Sequence, residues 1–331
     1  MNIQVYRASA SSYQDSQFLA KEKRILEGIK GVKYLQSLQE ADKDLPFVLI
    51  TNTHTKIEDI ATPILDRTIL IVHPNSGFDN FKDEFIEENK IPIIIGNPIR
   101  ANAVVEYTLS AIFQYFCPIP NHHHWSQSRS WPRKLLRDQR VTLIGHGHIG
   151  KILYSSLKPI CREIQVFDPF TNKNVYPYVE SQFVPDDFSK TDVFIIAANL
   201  NSSTNGLINK KILNQLSKDC LIINPARGEI VNEDDLINFL RKNPKAYAFL
   251  DVFEKEPFKP GYLNDLKNLN KTSHIAGVYE KLNSDILSFE YIVISEFLSA
   301  QEKNEYHKFE NEYVECLLTK KSENYEPRLL K

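Results

Sequence analysis

Residues 141–168 read VTLIGHGHIGKILYSSLKPICREIQVFD, and no other stretch restricts the fold of this chain so tightly. The apolar run Val141, Thr142, Leu143 and Ile144 leads into Gly145, Gly147 and Gly150. Apolar residues then recur at helical spacing through Ile152, Leu153, Leu157 and Ile160. A second apolar run, Ile164, Gln165, Val166 and Phe167, stops on Asp168. The order predicted is strand, glycine turn, helix, strand, acid, which is the context a dinucleotide fingerprint requires. Gly145 permits the tight turn, Gly147 lets a pyrophosphate approach the backbone, and Gly150 lets the helix pack closely on the sheet. The N–H groups and dipole at the helix start then favour the pyrophosphate. Asp168 suits ribose hydroxyls and would repel a 2′-phosphate, so the reading is NAD rather than NADP.

With 331 residues the chain is long enough for two domains with real cores. Its formal charge of −2, with both signs interspersed, leaves no electrostatic footprint for nucleic acid. Cys117, Cys161, Cys220 and Cys316 are far apart and lack the spacing of a disulfide framework or zinc site. The start, MNIQVYRAS, has no basic-then-apolar signal pattern, and no apolar run reaches membrane length. A soluble cytoplasmic protein is expected.

Residues 1–100 read as a first α/β unit. Strands are expected at 3–6, 47–50, 70–72 and 91–95, with an amphipathic helix over 18–29. The alternation implies a parallel sheet. The loop His73-Pro74-Asn75-Ser76-Gly77-Phe78-Asp79-Asn80 follows a strand, and its Ser-Gly turn can aim backbone N–H groups at an anion or be a plain surface loop. Asn97-Pro98 reads as a turn, and 104–116 as a long apolar helix buried between domains or at a subunit contact. Within it Glu106 suits a capping or hinge role. The connector 118–140 carries His122-His123-His124-Trp125, read as an exposed loop because adjacent histidines cannot all face one metal from a regular element. His146 and His148 are expected to contribute backbone amides to the glycine turn.

After Asp168 the strand–helix rhythm continues. Strands are expected at 193–197, 221–223 and 246–250, and helices at 210–216 and 233–240, the latter capped by Asn232. A long helix over 280–300 returns to the first domain, and the charged stretch 302–331 ends in a short helix that packs or pairs, then frays. Ligands of open parallel sheets bind beyond the carboxyl ends of strands, where Arg227, Asp251, Glu256 and His274 fall. Hydride transfer between an alcohol and a carbonyl needs a proton acceptor, a cation for a substrate carboxylate, and a nicotinamide. An imidazole titrates near neutrality, so His274 is the acid/base, with Glu256 the carboxylate that orients it. Arg227 offers a planar fork to the carboxylate, and the Ser76-Gly77 amides a second hold on it. Each of these alone also suits a solvated loop; their joint placement after the fingerprint favours the catalytic reading.

The segments GHGHIG…FDP, NPARGEIVNEDDL, LDVFEKEP and HIAG closely resemble the D-isomer-specific 2-hydroxyacid dehydrogenase family, over roughly residues 70–280. The resemblance implies that Arg227 binds substrate, that Glu256 and His274 are the catalytic glutamate and acid/base histidine, and that Asp251 contacts the nicotinamide end. Ser76 and Gly77 match a loop that touches substrate carboxylate and cofactor. Cofactor contacts are expected from Gly145, Gly147, His148, Ile149, Gly150, Asp168, Ala226, Asp251 and Gly277. It further implies two Rossmann-like doubly wound α/β domains, with an NAD-binding domain at 101–279 inserted into a substrate (catalytic) domain of 1–100 and 280–331, and a homodimer. The function implied is NAD-dependent interconversion of a small 2-keto acid and a D-2-hydroxy acid; the residue spacing, for its part, suggests no metal. The chain departs from the family at Ala198-Asn199-Leu200-Asn201, where members carry a proline and threonine, and in a loop over 97–106 that reads about two residues short. A non-catalytic NAD-sensing regulator resembling the C-terminal binding protein corepressors is the alternative. A formate-type enzyme ranks lower, since that relative carries glutamine at the place of Glu256.

Overall fold

The computed structural model describes residues 2–120, 124–168, 179–180 and 188–319. The chain divides into two compact units, 1–100 with 279–331, and 101–278, so the second is inserted in the sequence of the first.

In the first unit the strands are β1 (Ile3–Arg7), β2 (Val32–Leu35), β3 (Phe47–Ile50), β4 (Thr68–His73) and β5 (Ile93–Ile95), in the order β2-β1-β3-β4-β5. All pair in parallel. The chain reverses direction of winding between β1 and β3, which makes the sheet doubly wound. β3, β4 and β5 are buried along their whole length, as continuous Val/Ile/Leu runs require when both faces are covered. β2 escapes the apolar reading because Lys33 interrupts it and it lies at an edge.

The C-terminal stretch completes this unit. The helix Leu282–Glu302 and the helix Tyr306–Glu312 place Val293, Phe297, Tyr306 and Phe309 in the first unit's core. Leu317 then bridges Ile94 antiparallel, with the Ile95 N–H donating to Cys316 O at 2.9 Å and the Leu318 N–H to Ile93 O at 2.9 Å. The tail thus covers the β5 edge, which would otherwise offer unpaired backbone groups. Residues 320–331 lie outside the described residues. Arg7, fully buried, pairs with Glu22 and Glu290, joining β1 to the helix Ser16–Leu26 and to the returning helix. Burial holds the Glu290 carboxyl well above its ordinary range, against the pull of Arg7.

The second unit holds β6 (Arg140–Ile144), β7 (Glu163–Phe167), β8 (Val179–Glu180), β9 (Val193–Ile196), β10 (Leu221–Asn224), β11 (Tyr247–Leu250) and β12 (Leu269–Lys271). Their order is β12-β11-β10-β9-β6-β7-β8, parallel throughout, with the switch point between β6 and β9. Side chains alternate between two cores: Ile144, Phe194, Ile196 and Ile222 on one face, Leu143, Val193, Ile195 and Ile223 on the other.

One expectation is corrected and an edge strand is new. The helix expected over 104–116 runs Asn97–Phe116, so Asn97-Pro98 is its first turn and no short loop occupies 97–106. Proline suits that place because the N–H it lacks has no helical acceptor and its φ is preset. β12 was not foreseen; it is a half-buried edge strand without an apolar run. Among the described residues no helix is long and apolar enough to cross a membrane.

Candidate active site

Because the second sheet is parallel, the glycine turn after β6 and the loops after β10, β11 and β12 all leave its carboxyl edge. Gly145 has φ +95°, and a Cβ there would stand 2.6 Å from Ala197 O, so only glycine fits. Gly150 abuts Gly145 O, which seats the helix His148–Leu157 against the strand. A Cβ on Gly147 would meet nothing within 4 Å. Gly147 is also the N-cap of that helix and brings no side chain to its N–H groups. Open space facing an uncapped ten-residue helix start is the cradle a pyrophosphate needs, so these residues fit NAD. His148 and Ile149, both half-buried, open the helix.

Asp168 follows β7, and its Oδ2 accepts the His146 N–H at 2.6 Å, binding the turn to the neighbouring strand. The His146 ring is buried against Tyr154, 5.7 Å between centroids at 89°. Burial lowers its pKa, against the pull of Asp168, so the imidazole stays neutral. Its backbone amide serves the turn, though toward Asp168.

Asp251 ends β11 and is only 1% exposed. Its Oδ1 accepts from Thr272 Oγ1 at 2.6 Å and the Ile275 N–H at 2.8 Å, and its Oδ2 from the Ala276 N–H at 2.7 Å. Its carbonyl accepts the His274 N–H at 2.7 Å. His274 itself sits at φ +58°, a left-handed conformation that costs a side-chain-bearing residue about 1–3 kcal/mol unless its surroundings hold it. Asp251 supplies that hold. Asp251, expected only as a cofactor contact, thus has a structural duty that sequence reading did not foresee, and Thr272 was missed altogether.

His274 Nδ1 lies 2.8 Å from Glu256 Oε2, while Glu256 Oε1 accepts the Phe253 N–H at 2.9 Å. Burial pushes the Glu256 carboxyl up, but the hydrogen bonds from His274 and the Phe253 N–H, with the charges of His274 and Arg227, outweigh it. The carboxyl is thereby held below its ordinary value and is ionised at neutral pH. An ionised carboxylate only accepts, so the hydrogen is assigned to Nδ1, leaving Nε2 as the imidazole's acceptor. The ring is half-exposed, and a reactant can reach it.

Arg227 follows β10. Asn224 shapes its turn, donating from Nδ2 to Arg227 O at 2.9 Å and accepting the Ala226 N–H at 3.1 Å. Arg227 Nη1 donates to Ala226 O at 2.8 Å. A Cβ on Gly228 would stand 1.9 Å from the Phe253 carbonyl carbon, so this glycine lets the arginine turn touch the loop that carries Glu256. The sequence signal for that contact was the Ala226-Arg227-Gly228 run, read for its arginine alone. Gly277 closes the His274 loop, half-buried.

Of the remaining expected residues, Ser76 and Gly77 lie in the first unit beyond β4. His73, fully buried, meets Thr51 Oγ1 through Nδ1 and Gly77 O through Nε2, each at 2.9 Å, which fixes that loop. Glu106 is exposed on its helix. His122 and His123 lie outside the described residues, and among those described no group of histidine, cysteine and acid side chains forms a metal site.

Residues 110–276, half the chain, match the family model described as the D-isomer specific 2-hydroxyacid dehydrogenase, NAD binding domain. An erythronate-4-phosphate dehydrogenase of Blochmanniella floridana is 30% identical over 235 residues, covering 70% of this chain and 59% of that protein. A D-3-phosphoglycerate dehydrogenase of Methanocaldococcus jannaschii is 25% identical over 262 residues, covering 76% of this chain and 49% of the relative. The chain thus spans about half to three fifths of the length of these curated relatives. The crystal structure of NAD+-bound 3-phosphoglycerate dehydrogenase from Entamoeba histolytica shares the fold, with TM-score 0.66, 19% identity, and 90% and 96% of the two chains covered. The glycine turn, the strand order and the match over its second unit agree, and the chain belongs to the D-isomer specific 2-hydroxyacid dehydrogenase family.

Proposed function

We propose that this chain is an NAD-dependent oxidoreductase interconverting a 2-keto acid and a D-2-hydroxy acid. The observation that carries the reading is the 2.8 Å bond between Glu256 and His274, on the sheet edge that also presents the glycine turn. When bound, the nicotinamide would supply hydride chemistry at C2, the oxidised cofactor serving as acceptor for the hydroxy acid and the reduced one as donor for the keto acid. His274 Nε2 accepts the hydroxyl proton as C2 is oxidised and gives it back to the carbonyl oxygen on reduction. Glu256 keeps Nδ1 protonated and stabilises the imidazolium while Nε2 holds that proton. Arg227 binds the substrate carboxylate as a planar cation. Gly145, Gly147, His148, Ile149 and Gly150 hold the pyrophosphate, Asp168 the ribose hydroxyls, and Ala226, Asp251 and Gly277 border the cofactor.

The second unit is the cofactor domain and the first the substrate domain. Ser76 and Gly77 are its contact with the carboxylate; Ser76 Oγ is buried without a hydrogen-bond partner among the described residues, which supports this assignment. Relatives named for erythronate 4-phosphate and 3-phosphoglycerate make phosphorylated 2-hydroxy acids the first substrates to try. A homodimer formed through the second unit accounts for Ile119 and Trp125, 93% and 90% exposed, with Phe113, Trp131 and Leu135 also open to solvent.

An NADH-consumption screen over glyoxylate, pyruvate, hydroxypyruvate, phenylpyruvate, branched 2-keto acids and the oxidised forms of the two phosphorylated acids tests the reading. Steady oxidation with at least one of them is expected. Tight NADH binding without turnover on any would overturn it in favour of a regulator.

A further inference from the structure

Tyr107 lies on the helix Asn97–Phe116, 165 residues from Thr272 in sequence, yet its hydroxyl is 2.8 Å from Thr272 Oγ1. Thr272 Oγ1 is in turn 2.6 Å from Asp251 Oδ1. Asp251 already accepts the Ile275 and Ala276 N–H groups, so its carboxylate acts as an acceptor. Thr272 has one hydroxyl hydrogen and directs it to Asp251. Tyr107 must then donate to Thr272, and the chain of hydrogen bonds has one direction, from Tyr107 through Thr272 to Asp251. Burial raises the Tyr107 pKa and keeps the phenol protonated, as a donor must be. Beyond Asp251 the network reaches the backbone N–H groups of His274, Ile275 and Ala276, the bonds by which Asp251 holds the His274 backbone in its left-handed conformation.

Building on the function proposed above, we propose that Tyr107 is a positioning residue for His274, fixing the 272–276 loop from the helix through Thr272 and Asp251. A phenol suits the task because it spans the distance with only two side-chain torsions to freeze. The bond to Asp251 ties Thr272 to β11 alone. A donor at Thr272 Oγ1 adds a second tether, to the helix, and polar networks of this kind strengthen one another in a half-buried setting. Small displacements of an acid/base group are costly: a shift of about 1 Å can lower turnover a hundredfold.

Tyr107→Phe in the full chain removes the donor and keeps the ring. Amide hydrogen exchange at Ile275 and Ala276 is expected to quicken by about tenfold, the worth of one lost hydrogen bond. With an accepted keto acid, kcat should fall by about tenfold while KM for NADH stays at its wild-type value. Thr272→Val should reproduce both effects, and the double variant should add little, as expected for members of one network. Unchanged exchange at Ile275 and Ala276 overturns the proposal whatever the activity, and so does full turnover in an active Tyr107→Phe enzyme. Should the wild type oxidise NADH with no keto acid, the proposed function fails, while faster exchange would still support the Tyr107 link to the loop.

Discussion

Both units are doubly wound parallel sheets, yet their carboxyl edges carry different chemistry. Beyond β1, β3 and β4 stand Ser9, Asn52, Thr55 and Ser76, with His73 buried and bonded through both ring nitrogens. Beyond β6, β10, β11 and β12 stand the glycine turn, Arg227, Glu256 and a half-exposed His274 held through one nitrogen. The same architecture therefore produces one histidine whose ring nitrogens are both bonded inside the fold and another, half-exposed, whose Nε2 is the proposed acid/base. Fold alone does not assign chemistry; exposure and partner count do.

The largest contrast is expected between the two histidines. His274→Ala should lower kcat by about 10²- to 10⁴-fold with little change in Tm, the usual worth of a positioned acid/base. His73→Ala should instead destabilise by about 2–4 kcal/mol, since it opens a cavity and strands the Thr51 hydroxyl and Gly77 carbonyl. Thermal melts and initial rates on both variants check this, and undiminished turnover in His274→Ala would remove the proposed acid/base. Next comes a pair of glycines. Gly228→Ala meets backbone at 1.9 Å and should cost about 3 kcal/mol or more in denaturant titrations, whereas Gly147→Ala meets nothing in the protein. Gly147→Ala should therefore keep the wild-type Tm but weaken NADH binding by about tenfold, read by fluorescence titration. An equal loss of Tm in both would erase the distinction between a glycine demanded by packing and one demanded by a ligand.

The smallest effect concerns pH. Glu256 is held below its ordinary value of 4.5 in the folded chain. Its contribution to stability is thus fully present above that value and fades as pH falls through the lower folded one. The Tm difference between wild type and Glu256→Gln should shrink as pH drops from about 6 towards 3. A difference that stays constant over this range would sever the link between Glu256 ionisation and the His274 contact. At neutral pH the same variant should slow turnover by roughly tenfold, because an amide fixes the ring less well than a carboxylate.

Much of this was legible in the chain. The run at 141–168 announced its own strand, turn, helix and acid, because close backbone approach demands glycine and buried strands demand apolar runs. The pairing of Glu256 with His274 was readable from side-chain chemistry, because a carboxylate beside an imidazole orients its ring, although the strand that precedes His274 was not. Less was visible where a residue's role depends on what lies far along the chain. β2, broken by the exposed Lys33 although Tyr34 and Leu35 are buried, and β12, half-buried throughout, are short edge strands, so hydrophobic patterning marks them too weakly to be read. Gly228 was seen as part of a turn, not as the place where two loops touch. The tail's place beside β5 required the antiparallel bridge of Leu317 to Ile94, two residues more than 200 positions apart.

Local physics is written in local sequence, so the amino acids alone determined the dinucleotide turn, the alternation of strands and helices, and the kinds of side chain at the strand ends. Which oxygen of Asp251 takes which N–H, why His274 tolerates a left-handed backbone, and how a tyrosine on a distant helix reaches that loop were decided only in three dimensions. Hydrogen bonds discriminate over tenths of an ångström, and no spacing along a chain records distances between segments that the fold has yet to bring together.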